Sequence, residues 1–107
     1  MTHNIKYQIR LVDFNNPVME QEVHDTITKN VEGQKMSSFW KKHLTHPDAE
    51  ALIKIDINKN TDNTYNGQIR LSIPWWPSLD YERENYEHVI DLVNNGFKRF
   101  TEQLTAQ

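Results

Sequence analysis

The chain has 107 residues, 36% of them hydrophobic, no cysteine, and fifteen acidic against twelve basic residues for a formal charge of -3. That length supports one core, so a single domain over residues 1–107 is expected. The missing cysteines exclude disulfides and thiolate metal sites, no apolar run approaches the ~18 to 20 residues of a membrane span, and Met1–Lys6 does not read as a leader, so a soluble cytoplasmic protein is expected.

Ile5, Tyr7, Ile9 and Leu11 alternate with Lys6, Gln8 and Arg10, which predicts an opening strand with one buried face and one cationic free face. Asp13-Phe14-Asn15-Asn16-Pro17 is turn chemistry leading into a helix, with Asn as N-cap and Pro in the first turn. Met19, Val23, Ile27 and Val31 form that helix's apolar stripe. A helix continuing from Pro17 to His43 would be about 40 Å long, too long for this domain, so a break is expected near Gly33. A second short helix, capped by Ser37 or Ser38, then holds Phe39 and Trp40 and stops before Pro47.

Ile53, Ile55 and Ile57 alternate with Lys54, Asp56 and Asn58 in a second strand, and the polar cluster from Asn58 to Asn63 turns the chain into a third strand starting near Tyr65. Ile69, Leu71 and Ile73 alternate there with Gln68, Arg70 and Ser72. After Pro74-Trp75-Trp76-Pro77-Ser78, a shorter strand includes Leu79 and Tyr81. The period then changes from two to near 3.6 at Asn85-Tyr86, and Tyr86, Ile90, Val93, Phe97, Phe100 and Leu104 make the stripe of a closing helix. The expected fold is α+β, ordered β-α-β-β-β-α, with a four-stranded sheet and two helices packed on one face.

The free sheet face then carries Lys6, Arg10, Lys54 and Arg70, cations able to bridge phosphates, or else a solvated surface of cross-strand charge pairs. Lys29, Lys35, Lys41 and Lys42 oppose only Glu32 in the segment 29–46, whereas Asp80, Glu82, Glu84, Glu87 and Asp91 oppose only Arg83 in 79–91. Charge segregated in this way permits a local positive surface on a net acidic chain. Trp75 and Trp76 either stack on unpaired bases or contact a partner, or fold back over the core. His43 and His46 lack a third ligand, so no metal or cofactor is expected. Gly33, Gly67 and Gly96 form no phosphate loop, and no nucleophile is paired with a base, so an enzyme is not expected.

Ile69-Arg70-Leu71-Ser72-Ile73-Pro74, then Leu79-Asp80-Tyr81-Glu82-Arg83-Glu84, then Asn85-Tyr86-Glu87-His88-Val89-Ile90-Asp91-Leu92-Val93 form an ordered combination. From Tyr65 to Leu104 the chain thereby resembles the ribosome hibernation-promoting factor family, also called ribosome-associated inhibitor or sigma-54 modulation proteins. Tyr86 with Ile90-Asp91 is similar to the family's signature at the start of its last helix. The resemblance implies the same architecture and docking on the small ribosomal subunit, near the tRNA and mRNA path, as a stress-response brake on translation. Lys6, Arg10, Lys54, Arg70, Lys98 and Arg99 would contact rRNA phosphates, helped by Lys29, Lys35, Lys41 and Lys42. Two departures stand out: Gly96 lies where the family often has a lysine, and Thr101–Gln107 is not basic. The alternative is a divergent module of this fold that has lost rRNA affinity and binds a protein through its acidic edge and the Trp75-Trp76 turn. Oligomeric state stays open.

Overall fold

The computed structural model describes residues 4–46, 48–74 and 76–105. Its elements are β1 (Ile5–Val12), α1 (Pro17–Val31), α2 (Gln34–His43), β2 (Ala51–Lys59), β3 (Tyr65–Ser72), β4 (Leu79–Tyr86) and α3 (Val89–Thr105). The fold is α+β, with the expected strands and two long helices. The short α2 adds a third helix to the β-α-β-β-β-α order.

Asn16 starts α1 as its spacing from Pro17 predicts: in an extended conformation its side chain accepts the Met19 N–H at 3.1 Å. Glu20 in the first turn and Lys29 in the last complement the helix dipole. The break falls at Gly33, where a Cβ would stand 3.2 Å from the carbonyl oxygens of Lys29 and Asn30. Gly33 itself is the N-cap of α2, so Ser37 and Ser38 do not cap it. Met36 is buried, which draws the turn before the serines into the core. Their hydroxyls instead donate to the carbonyls of Glu32, at 3.0 Å, and Gln34, at 2.9 Å.

The sheet order is β1-β2-β3-β4. β1 and β2 are parallel, because α1 and α2 carry the chain back between them, and the other two pairs are antiparallel. Ala51, Ile53, Ile55, Ile57, Tyr65, Ile69, Leu71 and Tyr81 are buried on one face. Val23, Ile27 and Val31 of α1 and Met36, Phe39 and Trp40 of α2 join them from the helical layer. The residues between these along the strands are exposed or half-buried, so the helices cover one face only.

The closing helix begins later than the apolar spacing suggests. Asn85 takes φ 55° at a bulge in β4, and the register changes so that Tyr86 pairs with Tyr65 and ends the strand. Tyr86 therefore lies outside the helix, although its hydroxyl accepts the Asn95 amide. The buried stripe of α3 is Val89, Leu92, Val93, Phe97, Phe100 and Leu104, and Ile90 is only half-buried beside it. Gly96 belongs to the same stripe: a Cβ there would meet Ile69 Cδ1 at 2.7 Å and the Tyr81 ring at 3.0 Å. Glycine at this position brings α3 close to β3 and β4, which offsets its poor helix propensity.

Two measurements check this packing. Phe97→Ala should lose about 3 to 5 kcal/mol in denaturant melts, whereas Ile90→Ala should lose no more than about 1.5 kcal/mol. Gly96→Val should cost about 2 kcal/mol or more, since overpacking adds to a weak helix former; an unchanged midpoint would show that α3 does not lie this close to the sheet.

Candidate nucleic-acid interface

The basic residues divide between the two sides of the molecule. Lys6, Arg10, Lys54 and Arg70 project from the open sheet face, while Lys29, Lys35 and Lys98 line a groove in the helical layer. The sheet-face and helix cations therefore do not form one surface.

On the sheet, strand register places charges directly opposite one another. Arg10 pairs across from Asp56, Gln8 from Lys54, Lys54 from Arg70, and Arg70 from Asp80. Arg70 donates to the Asp80 carboxylate at 2.7 Å, and this contact raises its pKa through the hydrogen bond first and the opposite charge second. Lys6 lies 3.6 Å from Glu50 and Arg10 3.8 Å from Asp56. Of the four, Lys54 alone forms no ion pair among the described residues, and it stands beside Asp56, Gln68 and Arg70. This face carries cross-strand charge pairs, the alternative open in the sequence, with Glu82 and Glu84 adding further negative charge.

The helical groove has the opposite character. Its volume is about 410 Å³, and it is lined by Lys29 and Asn30 of α1, the Gly33–Met36 turn, and Asn94, Phe97, Lys98 and Thr101 of α3. No carboxylate lines it, although Glu22 and Asp25 share an adjoining cleft with Lys29 and Glu102 shares one with Lys35, and among the described residues Lys29, Lys35 and Lys98 form no ion pair. The three lysines meet here because α1 ends, α2 begins and the middle of α3 passes at one place. Asn30 donates to the Thr26 carbonyl and to the Asn94 side-chain oxygen, both at 2.8 Å, tying α1 to α3 at the groove. Among the described residues, the Asn94 amide nitrogen donates no hydrogen bond. α2 opens with Gly33 and no side-chain cap, so its first N–H groups add partial positive charge. Lysine ammoniums, an amide and free backbone donors, without a carboxylate, suit a phosphate or phosphodiester.

Lys42 follows Lys35 by two turns on the same side of α2, and Lys41 is exposed on another side. Arg99 diverges from Lys98 toward β4: its charge and that of Arg83 partly offset the upward push of burial on the Tyr81 phenol. Trp76 is half-buried, its ring centroid 6.1 Å from that of Phe39 in an edge-on contact, so it folds back over α2. Trp75 lies outside the described residues. The His46 Nδ1 accepts the Asp48 N–H at 3.2 Å, so the Asp48 carboxylate 3.9 Å away is not an ion-pair partner of that nitrogen in this state. Among the described residues, no three His, Asp or Glu side chains gather as metal ligands.

Asn30, Gln34, Asn94 and Thr101 were not among the residues singled out from sequence. The spacing Asn94, Lys98, Thr101 puts all three on one helical face, a usable signal, but nothing local shows which helix lies opposite.

The chain is similar to one solved structure in particular, the N-terminal domain of Thermus thermophilus Protein Y, with a TM-score of 0.53 at 13% identity over 94% of each chain. At that identity the likeness establishes the fold. No protein-family model and no curated protein matches the sequence. No helix of the described residues is long and apolar enough to cross a membrane.

Trp76→Ala should cost about 1 to 3 kcal/mol in denaturant melts, because Phe39 loses its edge-on cover. An unchanged midpoint would show that the ring does not pack over α2.

Proposed function

We propose that this protein is a non-enzymatic, ribosome-associated translation inhibitor that binds small-subunit rRNA through backbone phosphates in the helical groove. The observation that carries the reading is the convergence of Lys29, Lys35 and Lys98, which form no ion pair among the described residues, on a groove that no carboxylate lines. The sequence resemblance to ribosome hibernation-promoting factors and the fold shared with the N-terminal domain of Protein Y support the same reading. Lys42 extends the positive line along α2, while the paired sheet cations Lys6, Arg10 and Arg70 contribute little.

The mechanism is occlusion. Ammonium groups replace the counterions condensed along an RNA backbone, and the released ions supply salt-dependent affinity. Asn94 offers a neutral donor that fixes the phosphate's position without adding charge. A rigid domain held in this way on the small subunit excludes tRNA or mRNA by volume, so no group in the chain has to perform chemistry.

Co-sedimentation with purified small subunits across a salt series tests it. Lys29→Glu with Lys98→Glu should lower affinity about tenfold or more and make the log–log salt slope shallower by roughly 1.4 to 1.8, as for two lost phosphate contacts. Lys6→Glu with Arg70→Glu should change affinity less than about threefold. The reverse ranking would move the interface to the sheet face, and no association at low salt would remove the reading.

A further inference from the structure

β1 is the strand whose core-facing side chains stay incompletely covered. Ile53, Ile55 and Ile57 of the adjacent β2 are 0 to 1% exposed, whereas Ile5, Ile9 and Leu11 are half-buried and Tyr7 is 41% exposed. β1 is also an edge of the sheet, paired with β2 alone. The Ala51 N–H donates to the Asn4 carbonyl at 2.9 Å. Continued along a parallel ladder, that bond turns the N–H and C=O groups of Lys6, Gln8 and Arg10 toward β2 and those of Ile5, Tyr7, Ile9 and Leu11 outward. Among the described residues, no backbone group from a loop or helix pairs with the outward set.

The side chains restrict what can add to this edge. On the sheet face, Lys6 and Arg10 are 70 and 75% exposed, and their carboxylates stand at 3.6 and 3.8 Å, the loose end of ion pairing. An incoming strand therefore meets cations on that face and uncovered apolar groups on the other. A second copy fits poorly. Antiparallel pairing of two β1 strands about Gln8 sets Lys6 opposite Arg10, a like-charge clash, and pairing about Tyr7 or Ile9 gives neither cation an acid opposite it. The acidic β4 of another copy has Asp80 already bonded to Arg70 at 2.7 Å and Tyr81 buried in its own core.

We propose that the β1 edge is a docking site for an extended segment of another protein that alternates acidic and apolar residues and adds a fifth strand to the sheet. Outward backbone groups supply the ladder, Lys6 and Arg10 select acids, and Ile5, Tyr7, Ile9 and Leu11 take the apolar side chains. None of these β1 residues lines the lysine groove, so the two bindings can be tested separately.

The probe is a fluorescent octapeptide of alternating Glu and Val, read by anisotropy at low salt and by amide hydrogen exchange on the full chain. Binding is expected, with exchange at Ile5, Tyr7, Ile9 and Leu11 slowed tenfold or more. Lys6→Glu with Arg10→Glu should weaken binding at least tenfold, and so should methylating alternate peptide nitrogens or replacing Glu by Lys in the peptide. Lys29→Glu with Lys98→Glu should leave peptide binding intact, which separates this proposal from the RNA reading. Both β1 replacements are at exposed side chains; if that variant does not fold, the N-methylated peptide on the unaltered protein decides. Absence of binding, equal binding of the N-methylated peptide, or protection confined to other residues overturns the proposal. So does concentration-dependent self-association that protects the same amides without peptide, which would make a second copy the occupant.

Discussion

The close approach of α3 to β3 and β4 sets the geometry on which the other features depend. Gly96 brings the helix within contact of Ile69 and Tyr81, and Gly67 leaves room for the methyl groups of Leu92. Two missing side chains, one on the helix and one on the sheet, thus meet three large ones from the opposite layer. Burial of Leu92, Val93, Phe97 and Phe100 follows, and apolar area removed from water is the main favourable term in a domain of this size. With α3 in place, α1 packs alongside it and the far face of the sheet is left to solvent.

The groove follows from that arrangement through the joint between α1 and α2. Trp40 is buried, and its indole N–H donates to the Val31 carbonyl at 3.1 Å, satisfying a carbonyl that the end of α1 would otherwise leave open. That bond fixes where α2 begins relative to α1. The side-chain bridge from Asn30 to Asn94 holds α1 to α3 on the same side. Lys29, Lys35 and Lys98 are therefore positioned by a buried tryptophan, a glycine break and an amide pair, none of which is charged.

Net charge is a poor guide to such a molecule. Fields between exposed charges fade over about 8 to 10 Å at physiological salt, so a ligand in the groove senses the local lysines more than the acids of β4. The sheet face shows the complementary case. It holds four cations, yet register sets carboxylates against Arg10 and Arg70, and Glu50 reaches Lys6. A count of basic residues along the chain treats both groups alike, whereas their neighbours give them opposite characters.

Element types were legible in the sequence because they rest on local periodicity. Alternation marked β1, β2 and β3, the stripe Val23, Ile27, Val31 marked α1, and Asn16-Pro17 and Gly33 marked a start and a break that need only backbone chemistry. The start of α3 is not legible in the spacing, because the Asn85 bulge turns Tyr86 onto the face that a helix would also give it and the two periods merge there. Which cations act together could not be read in the same way. Lys29 and Lys98 are separated by most of the chain, and their meeting depends on how α1 and α3 pack across the core. The sequence by itself determined the elements and the apolar face each would bury, since both follow from side-chain spacing within a segment. Only the tertiary structure decided that Lys6, Arg10 and Arg70 of the sheet stand within 4 Å of carboxylates while, among the described residues, the helix lysines do not, because pairing between distant charges is set by strand register and helix packing.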